Sequence, residues 1–316
     1  MSGDLVNVFL YYSLSIFCVL LGIPFFYIVL TKSPPSLRVY RNTILNLAIW
    51  YFVAMTSFGL FLQPIYTTID SKSCAKFVGL ASFVGPRTDI AFLFLSVVAC
   101  DNVAKALCIC FFYRYAQLGR FNEPSSIRSY RITAMCVGLH VIGSILAGIF
   151  TYVLVLSSHF IEHDGLSHIC FDDTNYYMVM RLSLIAGIAF AVASVTITIM
   201  GVMTITVLRS QKVHMTKQTY KIHLLLTLNL LFLVFLPVTF SGVPIFVCCY
   251  SVYVRSEYMY TTISVANHCP FFDLFSTCVV TLVFITPYRN SLKRMLCYGT
   301  ESICPVVSRV ATSMQQ

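Results

Sequence analysis

The chain has 316 residues, of which 58% are hydrophobic and only 10% charged. Soluble domains carry about 25% charged residues, so composition excludes a water-soluble fold and predicts a polytopic membrane protein. The net charge of +9 does not point to nucleic acid, because its distribution follows membrane topology.

Seven apolar runs are long enough to span a bilayer. The first runs from about Leu5 to Thr31, with Pro24 as a kink. Four residues without a basic stretch precede it, so it is expected to serve as its own targeting signal. A basic loop, Lys32 to Asn42, leads to span 2, about Thr43 to Ile65. The next loop, Tyr66 to Lys76, carries Cys74, and Phe77 to Val84 is expected to extend span 3 beyond the bilayer. Span 3, Phe83 to Leu118, holds Asp89, Asp101 and Lys105 inside an apolar run. Spans 4 to 7 cover about Ile132 to Leu156, Tyr177 to Leu208, Leu224 to Tyr250 and Tyr258 to Thr286. Pro237 and Pro244 each remove a backbone donor from span 6 and bend it.

Loops after spans 1, 3 and 5, with the tail, hold 15 of the 21 Lys and Arg; the other three loops hold three. This bias predicts an outside N-terminus and a cytoplasmic C-terminus. The fold class expected is all-α: a seven-helix transmembrane bundle over residues 1–289, then a cytoplasmic tail, 290–316. The tail opens with a short amphipathic stretch, Tyr288 to Cys297, suited to lying on the inner leaflet. Cys297 is a candidate for lipidation there.

Charge in the bilayer core is costly, so it is paired or functional. Asp101 and Lys105 stand i, i+4 on one helix face and could neutralise each other or touch a ligand. Asp273 in span 7 also falls near mid-membrane; its partner could be Lys105, a cation or a polar group of a neighbouring helix. Pocket candidates on position are Phe92, Phe94, Asp101, Met180, Phe240, Phe272 and Asp273. His159, His163 and His168 lack tight ligand spacing and read as a solvated loop, so no metal site is expected. No P-loop, His-Glu-x-x-His or Gly-x-Ser-x-Gly motif is present; neither an enzyme nor a cofactor is expected.

Local motifs narrow the reading. Ser33-Pro34-Pro35-Ser36 before Tyr40-Arg41-Asn42 resembles the first inner loop of the nematode serpentine chemoreceptors of the Srh, Sri, Srd and Str type. So do Cys110 to Tyr115 at the end of span 3, Met215 to Thr219 entering span 6, and Thr286-Pro287-Tyr288-Arg289 closing span 7. The chain lacks Asp-Arg-Tyr after span 3 and Asn-Pro-x-x-Tyr in span 7, so it departs from the broad rhodopsin-like pattern. The resemblance implies a chemosensory G-protein-coupled receptor. Its ligand would be a small environmental molecule, its partner a heterotrimeric G protein, and its place the plasma membrane, with a sensory cilium as one setting. It implies a G-protein side around Arg114, Tyr115, Lys217, Lys221 and Arg289. It also implies a disulfide between Cys74 and Cys170, with Cys248, Cys249 and Cys269 as competing partners. A receptor dimer is a further partner the resemblance allows. The alternative is a seven-span ligand-gated channel or small-molecule transporter, which the charge bias and the lack of paired interrupted spans disfavour.

Overall fold

The computed structural model describes residues 2–34, 37–69, 72–119, 125–163, 165–171, 173–254, 256 and 258–298. Nine α-helices and four strands are found among them. The helices are α1 (Ser2–Thr31), α2 (Arg38–Thr56), α3 (Pro86–Gly119), α4 (Ser125–Leu156), α5 (Asp173–Ser210), α6 (Lys217–Pro237), α7 (Val243–Tyr253), α8 (Met259–Phe284) and α9 (Thr286–Tyr298). A π-helical turn, Ser57–Leu62, continues α2, and another, Val238–Gly242, joins α6 to α7. With these joins the described residues form seven helical stretches long and apolar enough to cross a membrane.

The side chains sort in a way that only a bilayer tolerates. Ile142, Ile145, Ile188, Val192, Val195 and Ile199 on α4 and α5 are exposed. The core lies instead where α1, α2, α3, α6 and α8 meet, around Phe25, Ile44, Leu47, Phe111, Leu230 and Leu274. Several hydroxyls in the spans are satisfied within their own helices. Thr151 donates to the Ala147 carbonyl at 2.8 Å, Ser194 to Phe190 at 2.9 Å and Thr204 to Met200 at 2.7 Å. That pattern suits a medium with no water to bond.

Both long loops at one end of the bundle are strands rather than coil. β1 (Pro64–Ile69), β2 (Lys72–Phe77), β3 (His159–His163) and β4 (Leu166–Phe171) make one antiparallel sheet in the order β1-β2-β4-β3. His159, His163 and His168 therefore stand on strands, not in a solvated loop. Span 2 was expected to reach Ile65, but the helix ends at Leu62. Gln63 adopts φ +45°, and Pro64 opens β1, where its missing donor is tolerated. Phe77 to Val84 does not extend span 3. Phe77 ends β2, Leu80–Phe83 is a 3-10 turn, and α3 starts at Pro86 after Gly85 at φ +132°. Asp89 is buried in the first turn of α3, where the helix N-terminus favours a carboxylate.

Candidate functional site

Each end of the bundle is closed by a different chemistry. At the sheet end, Cys74 on β2 and Cys170 on β4 are register partners joined by a disulfide. Leu62, Phe77 and Ile169 form a small buried cluster beneath the sheet. Lys76 on β2 pairs with Asp4 at 2.5 Å, and Ser73 meets the Tyr260 hydroxyl at 3.0 Å. These contacts fasten the sheet to α1 and α8.

The opposite end is a polar network around Arg114. This residue is 3% exposed. Its guanidinium donates to the His223 carbonyl at 2.7 Å, to Gln117 Oε1 at 3.1 Å and to Thr227 Oγ1 at 3.4 Å. It thus ties α3 to α6 through neutral acceptors. Beside it the Asn229 amide of α6 donates to the Tyr40 hydroxyl of α2. The Tyr288 and Ser33 hydroxyls bond at 2.6 Å, joining α9 to the end of α1, and burial raises the Tyr288 phenol above its ordinary range. Tyr115 is half-buried, whereas Lys217, Lys221 and Arg289 are exposed. A cavity of about 410 Å³ opens at this end between α6, α8 and α9, with Lys221 among its lining. Cys297 falls on α9 by its backbone, and its side chain lies outside the described residues, as does the tail from residue 299.

Between the two ends lies an apolar cavity of about 180 Å³. α2 contributes Tyr51 and Met55; α3 contributes Cys100, Val103, Ala104 and Leu107; α5 contributes Phe190 and Ser194. Val234 and Pro237 of α6, Ser241 of the π turn, Ile245 of α7 and Asp273 of α8 also line it. Ser241 donates to Asp273 Oδ2, while Oδ1 has no hydrogen-bond partner among the described residues. Phe190, Ser194, Val238 and Ile245 also line a wider apolar groove of about 600 Å³ between α5 and α7.

Of the residues proposed from position, Asp273 lines this cavity. The structure places the others elsewhere. Phe92 stacks on Phe61 at 4.3 Å, next to the sheet-end cluster. Phe240 and Phe272 stack on each other at 6.2 Å and are 39% and 47% exposed. Phe94 and Met180 are half-buried and not among the lining residues. Asp101 and Lys105 do bond to each other, but the Lys105 side chain lies against Gly143 of α4, and neither residue lines the cavity. Asp273 takes Ser241, not Lys105, as its hydrogen-bond donor. Tyr51, Cys100, Ala104 and Ser194 were missed. Their signal is a set of small or hydroxyl-bearing residues that recur on facing spans, which lets helices approach and leaves room between them.

A family model described as "Serpentine type 7TM GPCR chemoreceptor Srh" matches residues 5–298. The chain belongs to this Srh family. No curated protein matches the chain. As an Srh chain it is a multi-pass membrane protein with the bundle of a G-protein-coupled chemoreceptor. The match takes in all seven spans, the sheet and α9. Among the described residues no group of three His, Cys, Asp or Glu is placed to hold a metal ion.

Proposed function

We propose that this Srh chain detects a small molecule in the central cavity and passes the signal to a heterotrimeric G protein at the Arg114 end. The sheet end would face outward and the Arg114 end the cytoplasm, in line with the charge bias of the loops. Residues 1–289 would form the receptor proper at the plasma membrane, with a sensory cilium as one setting, and 290–316 its cytoplasmic tail.

One observation carries the reading: the cavity and the Arg114 bridge share the same two helices. Leu107 and Val234 line the cavity, while Arg114 and Thr227 form the bridge. On each helix the pair is seven residues apart, about 10 Å by helix rise. A ligand that binds more tightly when α3 and α6 stand apart would weaken the bridge by its difference in affinity for the two arrangements. Opening would expose the end that carries Lys217, Lys221 and Arg289 to a partner. The π turn after Pro237 is a natural place for α6 to move, since its backbone ladder is already interrupted.

The test is ligand-dependent G-protein activation in cells expressing the chain, screened with small volatile and water-soluble metabolites. A response that needs the G protein and is lost in Arg114→Ala supports the receptor. A ligand-evoked current that persists with G proteins blocked would overturn it in favour of a channel.

A further inference from the structure

We propose that the central cavity selects a benzene-sized molecule bearing one protonated amine, held at Asp273 Oδ1. The inference rests on the receptor reading and names the ligand class of its site.

It starts from an incompletely satisfied carboxylate. Asp273 is 1% exposed. Ser241 donates to Oδ2, and Oδ1 accepts from nothing among the described residues. Among the described residues no cation pairs with it. Lys105 is engaged with Asp101 beside α4, and Arg114 is bound to neutral acceptors of α3 and α6. A buried carboxylate is costly unless a cation or several donors meet it. The open space that Asp273 lines is the cavity, whose walls are otherwise mainly aliphatic and aromatic.

Tyr51 supplies a second polar group. It lines the same cavity and is 3% exposed, and its hydroxyl, which neighbours Thr277 and Asp273, keeps oxygen lone pairs free to accept. An ammonium has three donors and no acceptor. Asp273 Oδ1 can take one with charge assistance and the Tyr51 oxygen another. A neutral carbonyl ligand could accept from the Tyr51 hydroxyl but would leave Asp273 Oδ1 without a donor.

Volume sets the rest of the ligand. A cavity of about 150 Å³ holds benzene, and this one measures about 180 Å³. It fits one ring plus one or two heavy atoms. Val103, Leu107, Phe190, Ile197 and Ile245 give that ring apolar walls.

The test uses the full chain in lipid nanodiscs with three matched probes: benzylamine, benzyl alcohol and benzaldehyde. Benzylamine is expected to bind roughly tenfold or more tighter than the alcohol, the scale of one charge-assisted hydrogen bond to a buried group. Asp273→Asn, which keeps the shape, should erase that preference while alcohol binding stays within about threefold. Equal or tighter binding of the alcohol or aldehyde, no binding of benzylamine, or an amine preference that survives Asp273→Asn would each overturn the inference. The probe series on the unsubstituted chain decides even if the variant fails to fold. A G-protein response to neutral odorants without amine preference leaves the receptor reading intact and removes this one. Amine binding with no G-protein response does the reverse.

Discussion

Arg114 is a buried charge with no counter-ion among the described residues. Three neutral acceptors on two helices share its donors, and the nearest is a backbone carbonyl at the start of α6. Thr227→Val removes one acceptor and should cost the closed arrangement about 1 kcal/mol. That corresponds to roughly a fivefold rise in the open population, read as ligand-free G-protein turnover. Unchanged basal turnover would mean the bridge does not restrain α6. Packing at single atoms sets a second limit. A Cβ added at Gly79 would lie 2.2 Å from the Phe61 carbonyl oxygen, a backbone atom that cannot swing away. Gly79→Ala should therefore destabilise the protein by about 1–3 kcal/mol, seen as a lower melting temperature in detergent.

The sheet is the element that ties distant parts of the chain. Its inner strands, β2 and β4, belong to loops after spans 2 and 4, and the disulfide that joins them closes a separation of 96 residues. Removing a native disulfide typically costs about 2–5 kcal/mol. The double variant Cys74→Ser, Cys170→Ser should lower the melting temperature and reduce the amount of receptor at the cell surface. An unchanged melting temperature would show that the strand ladder alone fastens the sheet. The β3–β4 hairpin was readable in principle. Asp164-Gly165 is a strong two-residue turn signal between runs rich in Phe, Ile and Cys. Gly165 has φ +70°, the backbone conformation such a turn needs. The polar composition of the loop masked it, and the β2–β4 pairing has no local signal at all.

At the scale of the molecule, the apolar exterior and the polar ends define a membrane slab, and orientation follows from loop charge. In intact cells a tag on the N-terminus should react with an impermeant antibody, and a tag on the C-terminus should react after permeabilisation alone. The reverse pattern would remove the assignment of Lys217, Lys221 and Arg289 to the G-protein side. Motion of α6 about the π turn should also be needed. Pro237→Ala restores a backbone donor and should lower ligand-evoked turnover at saturating ligand.

The number of spans, the limits of most of them and the family resemblance were legible in the sequence. Each depends on the local run of apolar residues or on short motifs at their ends, and a bilayer rewards that run wherever the chain goes afterwards. The inward faces were not legible. In water a helix shows its core face by contrast with a polar face, but α3, α5, α6 and α8 are apolar on both their lipid and core sides. Phe240 and Phe272 consequently looked as good a pocket as Tyr51 and Cys100. Only the packing of five spans around one space decided which residues face it. The same packing put Asp273 on that space and left Asp101 off it, bonded to Lys105, although both are carboxylates near mid-membrane in sequence.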